Sequence, residues 1–285
     1  MRFKNHHRLL LPVVLIFILG TNICHGYVID GKVNDWGVDL TNPLAQKKGY
    51  LDSNLPSGPS VFVATEDNAD MENKHSTAVP PPWAFVGPLY TYQNHFDAEA
   101  MYVTNDSQNI YIAVITGLQK QGWDPPGSPA YGQNDYMFKP GDIAINVDGD
   151  SFYEYGIDID TGHLMSVTDS GWQDVYYYPQ YPGTAPANPW TVADGSDEGP
   201  VDFVYSQTAE NTHYVLEAAI PLNLLGLKHN DPYMVHWAME CGNDLLNVNA
   251  RVVPEPACML LLATGLMGMT AARRRPPRSK DTRQD

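Results

Sequence analysis

Apolar and polar residues alternate along the chain in short runs broken by turn residues, and no stretch sustains a helical period. Residues 98–104 and 110–115 are two such runs, joined by Asn105-Asp106-Ser107-Gln108-Asn109, a turn-rich hairpin connection. In residues 142–147, Ile143, Ile145 and Val147 share one face, while Asp142, Ala144 and Asn146 share the other. Tyr153, Tyr155, Ile157 and Ile159 repeat the inward row. Tyr214, Leu216, Ala218 and Ile220 form another, ended by Pro221, and Val235, Trp237, Met239 and Cys241 a last one. The pattern predicts an all-β fold, an antiparallel β-sandwich of jelly-roll-like type over residues 27–250. Two stretches interrupt it and read as long loops: residues 41–95, with Val61-Phe62-Val63 as their strand hint, and residues 171–200.

The ends follow different patterns. Arg2, Lys4 and Arg8 precede an apolar run from Leu9 to Leu19, and Cys24-His25-Gly26 offers a small-x-small cleavage site. Residues 1–26 therefore read as a signal peptide cut after Gly26 by signal peptidase. A retained anchor is the weaker alternative, because an eleven-residue run interrupted by Pro12 falls short of the roughly 20 residues needed to span. A lipoprotein reading fails on bulky Ile23 before Cys24.

At the other end, Val253-Pro254-Glu255-Pro256 leads into an uncharged stretch, residues 257–272, and then into Arg273, Arg274 and Arg275. As a helix these 16 residues span roughly 24 Å, short for a permanent membrane helix and adequate for a transient one. The arginines would hold the cytoplasmic side. This tripartite tail, residues 251–285, resembles the PEP-CTERM sorting signal of bacterial exosortase substrates, with Pro254, Glu255 and Pro256 on the family motif. The resemblance implies removal of the tail by an exosortase-type membrane protease. It also implies residence at the cell surface or in the extracellular matrix, after transient anchoring in the inner membrane by residues 257–272. An ordinary C-terminal anchor is the alternative.

Charge sharpens this picture. The 285-residue chain carries a formal net charge of -16, yet both ends are basic. Residues 27–253 hold eight basic and thirty acidic residues, a net of −22. A surface so acidic argues against nucleic acid as a partner. Of three cysteines only Cys241 survives loss of both ends, so no disulfide framework forms; its place in an apolar row predicts a buried thiol.

Three groups of residues are candidates for chemistry. Pairing Ile145 with Tyr155 and Ile143 with Ile157 sets Asn146 opposite Glu154 and Asp142 opposite Asp158. Asn146, Asp148, Asp150 and Glu154 then converge on one turn, an oxygen-only set suited to calcium; a solvated acidic turn is the plainer reading. The spacing is not that of an EF-hand, since Ser151 and Ile157 occupy the places of its Gly and its bidentate Glu. Trp83, Trp123, Trp172 and Trp190 fall in Pro/Gly-rich connections, unlike Trp36 and Trp237, which read as strand residues. Trp123, Trp172 and Trp190 are the candidates for stacking on a sugar ring; packing over long loops is the alternative. No nucleophile-elbow or zinc-protease motif occurs, so no enzyme is expected.

The order Ile29-Asp30-Gly31, Asp35-Trp36, then residues 102–106, 109–114, 142–145 and 214–221 with Leu224 and Gly226, resembles family 9 carbohydrate-binding modules and related DOMON-like β-sandwiches. The resemblance covers most of residues 28–227, and residues 41–95 depart from it as a long insertion. It implies a sandwich that binds extracellular polysaccharide without catalysis. Some DOMON relatives hold haem through Met and His, for which Met101, His163, Met165 and His236 would be the residues available, and a hydrolytic module is a further alternative. A structural surface or biofilm-matrix protein with no defined ligand site is the main rival reading. The run 236–244 is similar to endings of other exosortase-sorted surface proteins.

Overall fold

A computed structural model describes residues 26–58, 60–67, 93–123, 137–175, 187–208, 213–242 and 244–254. The chain divides into two units, Tyr27–Pro256 and the two ends together, and the description concerns the first. Among the described residues no helix is long and apolar enough to cross a membrane. The expected signal peptide and the apolar segment 257–272 lie outside them.

Thirteen strands form the described framework, and every strand pairing is antiparallel. They are β1 (Phe62–Thr65), β2 (Ala98–Asn105), β3 (Asn109–Thr116), β4 (Ile143–Asn146), β5 (Tyr155–Asp158), β6 (His163–Ser166), β7 (Trp172–Gln173), β8 (Thr191–Val192), β9 (Ser196–Pro200), β10 (Asp202–Gln207), β11 (Tyr214–Pro221), β12 (Pro232–Ala238) and β13 (Leu245–Arg251). One sheet runs β1-β2-β3-β11-β10, another β13-β12-β4-β5-β6-β9, and β7 pairs with β8 alone. The only described α-helix, α1 (Tyr50–Ser53), is a single turn.

The inward rows of both sheets share one apolar core. Met101, Val103, Ile110, Ile112, Leu216 and Ile220 come from the first sheet, and Ile143, Ile145, Ile157, Val235, Trp237 and Val248 from the second. Burial of these rows dominates the stabilisation, at roughly 25 cal/mol per Å² of apolar surface removed from water. The predicted registers Ile143↔Ile157 and Ile145↔Tyr155 hold. Tyr153 does not join the inward row, because β5 starts at Tyr155; its ring lies 6.3 Å from Trp172 and 5.4 Å from His236.

The first sheet is covered on its other face too. Val33, Trp36, Val38, Leu40, Ala45 and Leu51 pack on Ala100, Tyr102, Tyr111, Ala113, Ile115 and Val215, making a second core. The covering lid begins with the residues around Trp36 and continues through a 3-10 turn (Pro43–Gln46) and α1, after which the chain adds β1 to the edge of the first sheet. The stretch 171–200 likewise contains β7, β8 and β9. Trp36 sits in a turn of this lid rather than on a strand, since the residues before it are committed to a polar anchor described below. The edge strand β9 reads Ser196-Asp197-Glu198-Gly199-Pro200 and is mostly exposed, with a register shift opposite Leu164 and Met165.

Candidate functional site

The β4–β5 turn gathers the predicted acids. Asp148, Asp150 and Glu154 each bring a carboxylate oxygen within 4.8 Å of the other two. Any two oxygens so spaced are close enough to share one calcium ion at about 2.4 Å. The backbone is bent by Asx turns: Asp148 Oδ1 accepts from the Asp150 N–H, and Asp150 Oδ1 from the Phe152 N–H. Glu154 Oε2 accepts from the Val147 N–H at 2.7 Å, so each acid spends one oxygen on the loop and keeps one. Burial raises the Glu154 pKa, and the charges of Asp148 and Asp150 add to this. Asn146 plays another part. Its Oδ1 accepts from the Asp148 and Gly149 N–H groups and its Nδ2 donates to the Asp150 carbonyl, so it shapes the turn instead of facing an ion. Asp142 does not form a bare pair with Asp158; its carboxylate accepts from the Ile159 and Val192 N–H groups and the Thr191 hydroxyl.

The three tryptophans do not form an exposed platform. Trp190 is only 8% exposed and packs with Val175, Ala187 and Ala238. Its backbone accepts from the Asp142 N–H, which draws residues 187–192 onto the second sheet and buries the ring. Trp172 opens β7 and lies over β5 where Gly156 leaves room; a Cβ there would meet the indole at 2.7 Å. Its N–H donates to the Tyr153 carbonyl at 2.8 Å. Half-buried Trp123 stacks on His95 with centroids 4.4 Å apart and meets the edge of Phe96. Trp83 lies outside the described residues.

A cleft of about 380 Å³ lies beside the acidic turn, between the first sheet's Phe62 and the second sheet's Tyr233, Met234, Asn249 and Arg251, with Asn146 and Asp150 at its rim. Tyr233 is 3% exposed, and its buried hydroxyl has no hydrogen-bond partner among the described residues. Burial raises the Tyr233 pKa. Sequence patterning starts the last inward row at Val235 and leaves Tyr233 out, and the cleft itself depends on how strands of two sheets meet.

Two polar centres in the second core were also hidden from sequence. Glu217, fully buried on β11, accepts from the Asp30, Gly31 and Lys32 N–H groups and from the Trp36 indole N–H. The Asp-Gly and Asp-Trp pairs of the opening motif therefore dock on a carboxylate far along the chain. Burial pushes the Glu217 pKa up to about 7 against the pull of these donors. The other centre joins His213 to Glu99 at 2.7 Å, beside Asp67 and Tyr102. Among the described residues Glu99 Oε1, Tyr102 Oη and Thr208 Oγ1 have no hydrogen-bond partner there. Burial pushes Asp67 up to about 6; for His213 burial is outweighed by the Glu99 charge, and its pKa rises.

The residues considered for haem are not gathered. Met101 is in the main core, and His163 binds Asp197 at 2.9 Å. The His236 ring meets Asn247 Oδ1 and the carbonyl of Pro189, and β4 and β5 separate β12 from β6, which carries His163 and Met165. Cys241 is buried in the main core.

At the C-terminus, residues 252–275 match the PEP-CTERM protein-sorting motif, a span containing Pro254, Glu255, Pro256 and Arg273 to Arg275. The motif marks an exported, exosortase-sorted surface protein that passes through a membrane-anchored stage before processing. No curated protein and no solved structure matches the chain, so the likeness to family 9 carbohydrate-binding modules and DOMON-like domains gains no support from comparison.

Proposed function

We propose that the two sheets are the halves of a β-sandwich that binds extracellular polysaccharide without catalysing a reaction, once signal peptidase and exosortase have trimmed both ends. The observation that carries this reading is the cleft of about 380 Å³ itself, where the Phe62 side chain stands beside the polar Asn146, Asp150, Asn249 and Arg251. An apolar wall with a few fixed polar groups suits a sugar ring, which offers an apolar face and hydroxyls that both donate and accept. The net charge of −22 over residues 27–253 favours a neutral glycan, because a polyanion would be repelled. Calcium at Asp148, Asp150 and Glu154 would brace the turn that forms the cleft rim.

A glycan array with the processed protein, followed by calorimetry, tests this. Phe62→Ala and Asn249→Ala should each weaken binding about tenfold or more with the fold retained, by loss of the apolar wall and of one hydrogen-bonding group. Absence of binding to every polysaccharide, with surface retention unaltered, would favour the second reading: a structural surface protein without a ligand site. The burial of Trp190 and the covered position of Trp172 speak for that reading.

A further inference from the structure

Where the folded unit ends, one side chain holds the chain by both backbone groups. The Val253 N–H donates to Asn105 Oδ1 at 2.9 Å, and Asn105 Nδ2 donates to the Val253 carbonyl at 2.8 Å. A primary amide used this way imitates a neighbouring strand, fixing the direction of the chain one residue before Pro254-Glu255-Pro256. Just upstream, the Val252 N–H donates to the Asp231 carbonyl and the Val252 carbonyl accepts from the Asn230 N–H. The exit of the chain is therefore set by the β2–β3 hairpin and by the turn before β12.

Pro254 then runs along a cleft of about 890 Å³. Pro221, Leu222 and Leu227 supply its apolar wall, and Lys228 and His229 are exposed on its rim. Lys228 has no ion-pair partner among the described residues, although acids outnumber bases nearly four to one in this part of the chain. The acid in the cleft, Asp106, is already engaged: its carboxylate accepts from the Gln108 and Asn109 N–H groups and the Tyr111 hydroxyl. The cleft thus offers a proline-sized apolar wall and an uncommitted cation to a chain whose next two residues are Glu255 and Pro256.

We propose that this cleft is the seat of the chain's own sorting motif, with the Glu255 carboxylate on Lys228 and Pro256 against the apolar wall formed by Pro221, Leu222 and Leu227. Asn105 is the positioning residue that aims the chain into it. In this arrangement the folded domain holds the motif against its surface, and the sorting protease must draw it out to act. The proposal stands apart from polysaccharide binding, since the two clefts share no residue.

Carbodiimide coupling tests it on the full chain in detergent micelles. The reagent joins a carboxylate to an amine only when the two touch, and the 3.6 Å Lys32–Asp30 pair serves as internal control. Mass spectrometry should find a Glu255–Lys228 amide within one chain. Lys228→Arg should abolish that link, and Asn105→Ala should lower its yield several-fold. Failure to see the link in the wild-type chain while the control link forms overturns the proposal. So does an unchanged yield in Asn105→Ala, or a link found only between 14N- and 15N-labelled copies, which would place a second molecule's tail in the cleft. Should Asn105→Ala lose its fold, the wild-type link and Lys228→Arg still decide.

Discussion

The Trp36 indole N–H donates to Glu217 Oε1 at 3.0 Å, while Glu217 Oε2 collects the N–H groups of Asp30, Gly31 and Lys32 at 2.7 to 3.2 Å. A single buried carboxylate thereby fastens the lid to β11 of the first sheet. Gly31 belongs to this arrangement because its φ of 76° is a left-handed conformation, and a Cβ would strike Ser206.

Removing that carboxylate should be costly. Glu217→Ala leaves two buried donors, the Gly31 N–H and the Trp36 indole N–H, unsatisfied and is expected to destabilise the domain by about 2–4 kcal/mol. Gly31→Ala should act in the same direction by strain. Urea unfolding of both variants measures this, and a loss below about 1 kcal/mol for Glu217→Ala would contradict the role assigned to the carboxylate.

Stability should fall as pH rises from about 4 to 8. Asp67 and Asp142 are pushed up to about 6 by burial, above the ordinary 3.8, so the folded state binds their protons more tightly. Their contribution is present at low pH and is lost through pH 6. His213, raised by Glu99 despite burial, stabilises while charged and loses this as pH passes its folded pKa. The three effects share one sign. Thermal unfolding at pH 5 and pH 8 should show the higher Tm at pH 5, and Asp67→Asn with His213→Gln should flatten the profile. A Tm that rises with pH over this interval contradicts the assignment.

Calcium at millimolar concentration should raise the Tm by a few degrees, on the order of 2–4 °C per kcal/mol for a domain of this size. Asp148→Asn should remove the response, because one of three converging oxygens loses its charge. Asn146→Ala should instead lower the Tm with and without calcium, since Asn146 supports the turn through three hydrogen bonds. An equal calcium response in wild type and Asp148→Asn excludes this site.

Trp190→Ala should lose about 3–5 kcal/mol of stability as a cavity opens among Val175, Ala187 and Ala238. Its effect on glycan affinity should be no greater than that loss of fold explains. An unaltered Tm together with lost binding would return Trp190 to the role of a sugar platform.

Intact mass of the exported protein checks the sorting signal. The tail beyond the motif should be missing, and Pro254→Ala with Glu255→Ala should leave it in place. A mature C-terminus at Asp285 would exclude processing.

Much of the framework was legible because alternation fixes register. Ile143, Ile145, Tyr155 and Ile157 admit one pairing that keeps the apolar faces together, and the acidic turn followed from it. The tail was legible because its three parts are contiguous. What sequence could not show was long-range partnership. The opening Asp-Gly and Asp-Trp pairs are visible as a string, yet their carboxylate lies more than 180 residues away. Trp190 reads as a loop residue because nothing local announces that Asp142 will draw its segment inward. The Phe62–Tyr233 cleft joins two strands from different sheets, and neither strand by itself marks a cleft.

The edge strand β9 has a consequence for proteins displayed close together outside a cell. An open sheet edge invites its counterpart on the next molecule to add as one more strand. Here Asp197 and Glu198 would meet the same pair on a neighbour, and Pro200 has no N–H to offer. The shifted register against β6 further spoils a continuous ladder. Crowded copies therefore repel along this side, and a dense surface layer can remain an assembly of separate domains instead of fusing through β9 into fibrils.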